Sequence, residues 1–371
     1  MAKKAKSVIL DAPHGEFRVE EAELPELTGE TAMLEVVMCG VCGTDVHIHS
    51  GHWEFDRFPI NLGHEIAGRY HPADGRVASD LLGRAIGEGD LVGVVPGMPC
   101  GRCYSCQILR EPGLCENVTA FGFRPVLEAA PHFQGGFSDY VFLHNPDANL
   151  LKMDVAPEVA VLLEPLAVGV HFIERAEITL GDTVAIQGAG AIGLFSLAAA
   201  RAAGARKIIV LGAPASRLEV ALAFGADVVI DLDQVPDAAD RISRVKSETR
   251  GGLGADVVIE CAGVPNAVPE GLEMLRRGGT FVEGGHFTNS GDVAINPYHH
   301  IVRKHAKIVG VWGSSARHFV RAHGLLHADL FPWERVVSHV VPLEKLGDAV
   351  AALSSTYRMD DKDIIKAAIG G

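Results

Sequence analysis

The sequence predicts an α/β protein with a doubly wound parallel sheet and a second, β-rich domain. Residues 183–283 alternate between short apolar strands and helical stretches, which is typical of repeated βαβ units. Residues 7–40 instead form short strand-like runs separated by Pro and Gly turns. At 371 residues the chain is long enough for two cores, because single cores stop growing at roughly 250–300 residues.

Composition limits the partners and the compartment. The formal charge is −14 and no dense basic block is present, which disfavours nucleic-acid binding. No apolar run is long enough for a membrane span, and the basic start leads into a strand-like run instead of a signal-peptide core. We therefore expect a cytosolic protein. Seven cysteines, four of them crowded together, suit metal ligation better than a disulfide framework.

The stretch Val184–Gly204 predicts a dinucleotide site. It runs from an apolar strand through a G-x-G-x-x-G turn into an Ala/Leu-rich helix, with Gly204 as its C-cap. Such a turn lets the backbone approach a pyrophosphate, and the helix N-terminus offers free N–H groups to the anion. A glycine-rich loop without a ligand is the alternative. The candidate cofactor contacts here are Gly188, Gly190, Ala191, Ile192 and Gly193.

Three separate segments offer ligands for a catalytic metal. Cys42 lies in a tight turn, and His64 and Glu65 stand side by side between glycines. Glu164 is embedded in an apolar run, where an unpaired charge would be costly, so metal binding would explain it. Cysteine and histidine suit zinc, and a catalytic zinc keeps one position open. An incidental thiol at Cys42 and a helix-start carboxylate at Glu164 are the alternatives.

Four cysteines within sixteen residues form the strongest local motif. Three follow the pattern C-x2-C-x2-C and the fourth lies nearby, so four thiolates can close a tetrahedral shell without an open position. This predicts a structural zinc site at Cys100, Cys103, Cys106 and Cys115.

Aromatic residues in the β-rich part can line an apolar pocket or belong to its core. These residues are Trp53, Phe55, Phe58, Phe121, Phe123, Phe133 and Phe137. If they line a pocket, they favour a medium-sized hydrophobic or cyclic secondary alcohol over a polyol as the substrate.

Taken in order, these motifs resemble the zinc-dependent medium-chain alcohol dehydrogenase family over nearly the whole chain. The resemblance rests on residues 40–47, Gly-His-Glu at 63–65, the four cysteines, Glu-Pro-Leu-Ala at 164–167 and the Gly188 turn. Glu164 in place of a cysteine is similar to the sorbitol and threonine dehydrogenase branch, which oxidises secondary alcohols.

The resemblance implies an architecture and a mechanism. A catalytic, GroES-like domain with a partly open β-barrel would comprise 1–166 and 313–371, and a Rossmann cofactor domain would comprise 167–312. Zinc at Cys42, His64 and Glu164 would favour an alkoxide, from which hydride passes to a nicotinamide. Glu65 would be either an exchangeable ligand of the zinc ion or a residue that contacts one of its ligands. A homo-oligomer, dimer or tetramer, is also expected.

The family also implies roles for residues outside the ligand set. Thr44 and His47 would carry the hydroxyl proton to water, and Lys366 would lie near the cofactor pyrophosphate. Gly212 replaces the acidic residue that usually binds the adenosine ribose, and Arg217 follows it. Because Gly212-Ala-Pro-Ala has no basic group for a 2′-phosphate, NAD is predicted over NADP. NADP stays an alternative, since Arg217 could reach such a phosphate.

One further departure from the family pattern, in addition to Gly212, and two alternative functions stay open. Eight residues separate Cys106 from Cys115 where the family usually has seven, a difference that a loop can absorb. The alternatives to a zinc alcohol dehydrogenase are a zinc-free reductase of the same superfamily and a non-catalytic dinucleotide-binding module. Both require an emptied catalytic site, whereas all of its expected residues are present.

Overall fold

The computed structural model describes residues 3–29, 31–53, 57–122, 132–144 and 149–370. The chain divides into two compact units. The first comprises Met1–Ala167, Ser314–Asp329 and Val337–Gly371, and the second comprises Val168–Gly313 and Leu330–Val336.

Residues 330–336 lie in the second unit, whereas the predicted domain division assigns them to the catalytic domain. They pack in the second unit because their aromatic rings join its core. The ring of Phe331 stacks on Phe224 at 5.9 Å, and Trp333 meets Phe224 edge-on at 5.3 Å between ring centroids. Sequence periodicity could not predict this return, since it depends on contacts between residues far apart in the chain.

The first unit begins with strands and short helices. They are β1 (Lys4–Leu10), β2 (Phe17–Glu23), β3 (Ala32–Val41), α1 (Gly43–His49), β4 (Glu65–Pro72), β5 (Ala78–Ser79), β6 (Ala85–Ile86), β7 (Leu91–Val94), β8 (Gly97–Met98), α2 (Tyr104–Gln107), β9 (Thr119–Ala120), β10 (Tyr140–Leu143), β11 (Leu150–Lys152) and α3 (Pro157–Ala160). Helix α4 (Leu163–Ala176) then crosses the boundary between the units along the chain.

The second unit alternates between strands and helices. Its elements are β12 (Thr183–Gln187), α5 (Ala191–Ala202), β13 (Lys207–Gly212), α6 (Ala215–Ala223), β14 (Val228–Asp231), α7 (Ala238–Ser247), β15 (Ala255–Glu260), α8 (Ala267–Met274), β16 (Leu275–Glu283), a π-helical segment (Pro297–Val302) and β17 (Lys307–Gly310).

The C-terminal part completes the first unit. It contains α9 (Ala316–Leu326), β18 (Val337–Val341), α10 (Leu346–Ser354), β19 (Arg358–Met359), β20 (Lys362–Asp363) and β21 (Lys366–Gly370). Short 3-10 turns lie at Ala73–Gly75, Pro112–Leu114, Arg250–Gly252, Trp333–Arg335 and Leu343–Lys345.

The main sheet of the first unit brings distant segments together. Among the described residues its order is β11-β7-β4-β3-β21-β18, with β10 paired to β3, so its two outer strands do not meet. Strand β3 pairs Gly40 with Glu65 of β4 and Val41 with Ala367 of β21. The end of β3 therefore lies between the beginnings of β4 and β21, and this junction positions the candidate metal ligands.

The second unit contains the predicted doubly wound sheet. Its strand order is β14-β13-β12-β15-β16-β17, and each neighbouring pair is parallel. All five residues of β12 are buried, as expected for a central strand that is covered on both faces. The register pairs Gln187 with Glu260 and Glu260 with Glu283, so these side chains follow one another along the carboxyl edge of the sheet.

None of the helices in the described ranges combines the length and apolarity that a bilayer crossing requires.

Candidate metal centres and cofactor turn

Three predicted ligands converge at the junction of β3 and β4. Cys42 directly follows β3 and is the N-cap of α1, while His64 and Glu65 stand at the start of β4. Their ligand atoms all lie within 4.8 Å of one another. Glu164, in the first turn of α4, lies outside this group of three but interacts electrostatically with His64 and Glu65. The structure therefore brings Cys42, His64 and Glu65 together, whereas Glu164 is not part of this group and its role as a ligand stays a prediction.

Asp45 supports this cluster, a role that the sequence did not reveal. Its Oδ2 accepts a hydrogen bond of 2.8 Å from the backbone N–H of Cys42, and its Oδ1 lies 3.7 Å from His64 Nδ1. Asp45 is fully buried, so it holds both ligands in a fixed orientation. The available signal was its place three residues after the cap, where an acidic side chain completes a capping box.

The carboxylate of Glu65 is paired with Lys366. The Lys366 ammonium donates to Glu65 Oε1 and to the carbonyl of Val41, at 3.0 Å for the latter. Lys366 is only 5% exposed, and Glu65 is not exposed at all. Lys366 is thus directed at the metal-ligand cluster, and its predicted contact with the cofactor pyrophosphate stays a prediction.

The electrostatics of this cluster suit a bound cation. Burial alone lowers the pKa of His64, but the hydrogen bond with the Cys42 sulfur and the charge of Asp45 outweigh burial and raise it to about 10. Burial, followed by the charge of Glu65, raises the pKa of Glu164 to about 7 against the opposing charge of His64. The cluster thus stabilises positive charge and penalises additional negative charge.

Glu65 also has an oxygen available for a ligand. A Cβ at Gly40 would lie 1.8 Å from Glu65 Oε2, so the missing side chain of Gly40 makes room for this carboxylate. Within the described residues, Glu65 Oε2 accepts no hydrogen bond. Together with a thiol and an imidazole, it forms a donor set that fits zinc.

Thr44 and His47 lie on α1, three residues apart and therefore on adjacent positions of one face. Thr44 Oγ1 lies 3.7 Å from Cys42 Sγ. Burial, assisted by the neighbouring charge of His52, lowers the pKa of His47. A neutral imidazole that can accept a proton is thereby favoured near the candidate metal ligands.

The four predicted structural ligands also form a cluster. The sulfur atoms of Cys100, Cys103, Cys106 and Cys115 lie within 4.8 Å of one another. Cys103 Sγ is 3.5 Å from Cys106 Sγ and 3.9 Å from Cys115 Sγ. Zinc–sulfur bonds of about 2.3 Å in a tetrahedron separate the sulfurs by about 3.8 Å, so the spacing fits zinc.

The electrostatics of the four thiols are unequal. Backbone N–H groups, above all that of Arg102, lower the pKa of Cys100 to about 6. Burial, followed by its contacts with Cys103 and Cys115, raises the pKa of Cys106 to about 12. A divalent ion removes this penalty because it stabilises all four thiolates at once. The segment between Cys106 and Cys115 contains the 3-10 turn at Pro112–Leu114.

The glycine turn of the second unit has the geometry that its sequence predicts. Gly188 has φ +113°, and a Cβ at Gly193 would lie 1.9 Å from the carbonyl oxygen of Gly188. Gly190 is the N-cap of α5, so Ala191 and Ile192 occupy the first helical positions, where N–H groups lack intrahelical partners. These groups can bind the cofactor pyrophosphate.

The structure explains why Gly212 stands at the end of β13. A Cβ at this position would lie 2.5 Å from Ala189 Cβ and 2.9 Å from Ala189 N. An acidic side chain therefore has no room while Ala189 occupies the cofactor turn. Arg217 lies in the first turn of α6.

Most of the described aromatic residues belong to the hydrophobic core. Phe121, Phe133 and Phe137 are at most 5% exposed, and Trp53 and Phe58 pack against the core. Phe55 and Phe123 lie outside the described residues. The aromatic residues that the structure describes therefore give no support for an apolar substrate pocket.

Comparisons with known proteins agree with this arrangement. The alcohol dehydrogenase GroES-like domain matches residues 29–154, and the zinc-binding dehydrogenase family matches residues 191–327. D-xylulose reductase A of Aspergillus oryzae is 32% identical over 284 residues, which cover 75% of each chain. Sorbitol dehydrogenase of Bacillus subtilis is 31% identical over 268 residues, which cover 71% of this chain and 70% of that one.

Solved structures share the whole fold. An alcohol dehydrogenase of Thermotoga maritima has a TM-score of 0.89 and 30% identity, covering 99% of both chains. A zinc-binding dehydrogenase of Sinorhizobium meliloti, solved with bound NADP, has a TM-score of 0.84 and 28% identity over 100% of both chains.

The chain belongs to the zinc-dependent medium-chain alcohol dehydrogenase family. Within that family it falls in the sorbitol dehydrogenase-like branch, and it is an oxidoreductase that uses zinc and a nicotinamide cofactor. The predicted family, fold class and enzyme class are confirmed.

Proposed function

We propose that each chain binds two zinc ions with separate roles. The catalytic ion would be held by Cys42, His64 and Glu164 with Glu65 in reach, and the structural ion by the four cysteines. The observation that carries this proposal is the chemistry of the two ligand clusters. Four thiolates fill a tetrahedral shell, whereas the mixed set leaves a position for substrate.

The two units would have different functions. The first unit contains the ligands of both zinc ions proposed above and is proposed as the catalytic domain. The second unit contains the Gly188 turn and the parallel sheet and is proposed as the cofactor domain.

The proposed reaction oxidises an alcohol to its carbonyl compound. A bound zinc ion would supply the Lewis acidity that lowers the pKa of the substrate hydroxyl, and a bound nicotinamide would supply the acceptor for the hydride of the carbinol carbon. Thr44 would accept the hydroxyl proton and His47 would pass it to water. The products are one carbonyl compound, one reduced cofactor and one proton, which balances atoms and electrons.

Two charged side chains would act as positioning residues in this reaction. Asp45 holds the backbone of Cys42 and lies beside His64, so its carboxylate would fix the orientation of both ligands. Lys366 would neutralise Glu65 and keep that carboxylate beside the metal.

NAD is the proposed cofactor, in preference to NADP. Asp231, at the end of β14, is the register partner of Gly212 in the parallel sheet. Its carboxylate would disfavour a 2′-phosphate at this edge, and it stands one strand away from the usual acidic position. The relative with bound NADP and the presence of Arg217 make the ratio of kcat/KM for the two cofactors the deciding measurement.

A secondary alcohol is the proposed substrate, with polyols as the first candidates. The carboxylate at Glu164 and the similarity to a xylulose reductase and a sorbitol dehydrogenase support this proposal. A panel of polyols, cyclic alcohols and linear secondary alcohols, with the matching ketones, would identify the class.

We also propose a homo-oligomer. Strand β17 ends the parallel sheet and therefore presents backbone groups that a second chain can pair with. Ile308 in this strand is 42% exposed and Trp312 just after it is 55% exposed, so apolar surface continues along the edge. Light scattering would distinguish a monomer from a dimer or tetramer.

The test of the zinc proposal is Cys42→Ala. The variant should lose about half of its zinc, keep the fold and NADH binding, and lose alcohol oxidation, because the Lewis acid is missing. His47→Ala should be milder, since general acid–base assistance is worth about 10²–10⁴-fold and water can replace a relay in part. Cys261→Ala, outside both clusters, is the matched control and should keep both zinc ions.

The ordering of the variants decides between the alternatives. A Cys42→Ala protein that has lost half its zinc but oxidises alcohol normally would contradict the mechanism and favour zinc-free reduction. A wild-type protein that binds NADH and zinc but turns over no alcohol in the panel would favour a non-catalytic module.

A further inference from the structure

A second group of ionisable side chains lies at the carboxyl edge of the parallel sheet. Glu260 ends β15 and Glu283 ends β16, and these two residues are register partners in neighbouring parallel strands. Register partners in parallel strands project toward the same face, about 4.8 Å apart. His286 follows three residues after Glu283, so an imidazole joins the two carboxylates.

The distances within this group are compatible with a shared metal ion, and Glu283 Oε1 is also within hydrogen-bonding distance of the ring and the backbone N–H of His286. His286 Nδ1 lies 3.0 Å from Glu283 Oε1 and 3.5 Å from Glu260 Oε2. Nitrogen and oxygen ligands at about 2.0–2.1 Å from a metal are separated by about 2.9 Å in an octahedron and about 3.4 Å in a tetrahedron. All three residues offer ligand atoms within 4.8 Å of one another.

The backbone holds Glu260 in place for such a role. Glu260 Oε1 accepts hydrogen bonds from the N–H groups of Ala262 at 2.8 Å and Gly263 at 2.9 Å. The other oxygen, Oε2, points at Gly285, where a Cβ would lie only 2.1 Å away. Hydrogen bonds to one carboxylate oxygen commonly orient the other toward a metal.

Each of the three side chains has one buried polar atom without a hydrogen bond among the described residues. Across the described residues, Glu260 Oε2, Glu283 Oε2 and His286 Nε2 have no hydrogen-bond partner, although Glu260 is completely buried. Within the described residues, Glu260 and Glu283 both form ion pairs with His286, and neither forms one with a lysine or an arginine. Two carboxylates beside one imidazole leave an excess of negative charge in a buried place, which is costly without a cation or a proton.

The group is accessible from one side. Glu283 is 25% exposed and His286 is 14% exposed, whereas Glu260 is closed off. An ion can therefore enter past Glu283 and keep water ligands on that side. Burial, and after it the charge of Glu283, raises the pKa of Glu260 to about 7, so the second negative charge is disfavoured until a cation arrives.

We propose that Glu260, Glu283 and His286 bind a divalent first-row metal ion, of the Mn²⁺ or Zn²⁺ type. Two carboxylates and one imidazole suit such ions better than a four-thiolate site does, and open positions would be filled by water. The ion would join the ends of β15 and β16 beside the cofactor turn, because a Cβ at Gly188 would lie 3.1 Å from Ala262 N.

The experiment measures total metal per chain. Zinc-loaded protein is dialysed against MnCl₂, freed of weakly held ions by gel filtration, and analysed for zinc and manganese by mass spectrometry. Mn²⁺ binds N, O and S ligands more weakly than Zn²⁺, so it should not displace zinc from other sites. Wild-type protein should carry one more metal ion per chain than Glu283→Gln or His286→Gln, whose affinity should fall at least tenfold.

A matched control comes from another histidine between two glutamates. His71 contacts Glu88 through Nδ1 and Glu35 through Nε2, so its carboxylates lie at opposite ring atoms and cannot share an ion. His71→Gln and Glu88→Gln should keep the wild-type metal content. Circular dichroism and NADH binding would verify that each variant is folded.

The difference between wild type and variants does not depend on how many zinc ions the other clusters hold. Equal metal content in wild type, Glu283→Gln and His286→Gln would overturn the proposal and leave a shared proton as the neutralising group. An equal loss in the His71 control would overturn it as well, because the ion would then be bound by surface charge.

Discussion

Replacing Lys366 by methionine tests the buried ion pair of the candidate catalytic centre. Methionine keeps most of the length of the side chain but removes its charge, so Glu65 would be left as a buried carboxylate without its cation. Glu65 is completely buried and the Lys366 ammonium contacts both its carboxylate and the Val41 carbonyl. We expect the variant to be strongly destabilised.

The magnitude follows from the burial of both partners. Removing one partner of a buried ion pair typically costs about 3–5 kcal/mol, because the remaining charge has been taken out of water. Replacing both partners removes the uncompensated charge, so Lys366→Met combined with Glu65→Gln should be more stable than Lys366→Met alone. The two substitutions should therefore be non-additive by about 1–3 kcal/mol.

Lys152→Met is the matched control for this cycle. Lys152 pairs with Asp90 at 2.8 Å in the same unit, but the two side chains are 29% and 30% exposed. Water screens such a pair, and its loss should cost about 0.2–1 kcal/mol. Urea unfolding of the zinc-loaded proteins, followed by circular dichroism, measures all four variants on one scale.

Two results would refute the reasoning. If Lys366→Met unfolds at the same urea concentration as Lys152→Met, burial does not set the strength of the pair. Alternatively, the double variant could be as unstable as the sum of the two single variants. The destabilisation would then come from lost packing instead of an uncompensated charge.

Three further predictions concern other parts of the chain. Cys103→Ser should lower thermal stability and zinc content before it affects turnover per folded molecule, and an unchanged melting temperature with lost turnover would contradict a structural role. Burial alone raises the pKa of Asp80, but hydrogen bonds from Arg84 outweigh burial and lower that pKa below 3.8. The ionised Asp80 therefore stabilises the fold above pH 3.8, and this stabilisation is lost as the pH falls through the pKa of the folded state. Asp80→Asn should therefore cost about 1–3 kcal/mol at pH 7 and progressively less as the pH falls below 3.8, and urea midpoints that shift equally at pH 7 and in acid would refute this. Gly212→Asp should weaken NADH binding measured by fluorescence, and adding Ala189→Gly should restore it; unrestored binding would exclude the steric explanation.

The sequence was most informative where ligands or glycines have a fixed local spacing. The pattern Gly188, Gly190, Gly193 predicted a strand, a turn and a helix, and the structure has β12, the turn and α5 in that order. The four cysteines likewise lie close in sequence, so their convergence needs little from the rest of the fold. Both predictions depend on backbone geometry over fewer than about 20 residues.

Contacts between distant strands were not predictable in the same way. The family resemblance alone predicted Lys366 near the cofactor. The antiparallel pairing of β21 with β3 brings its ammonium group to Glu65. Asp45 was visible in its motif, but its contact with His64 depends on β3 and β4 being neighbours. The pairing of β3 with β21, hundreds of residues away, and with β4, beyond an irregular segment, fixes these contacts, and a single sequence contains no direct signal of either pairing.

The two glutamates at the sheet edge show why burial decides whether a charged residue has a function. In the sequence, Glu260 and Glu283 are ordinary acidic residues that end two apolar strands, and nothing distinguishes them from Glu35 or Glu88. Parallel register places Glu260 and Glu283 side by side, and burial removes the water that would otherwise solvate them. An exposed pair such as Glu35 and Glu88 around His71 can be neutralised by solvent ions at little cost. A buried pair requires a proton or a metal ion, so metal content of the Glu283 and His71 variants tests the physical argument as well as the site.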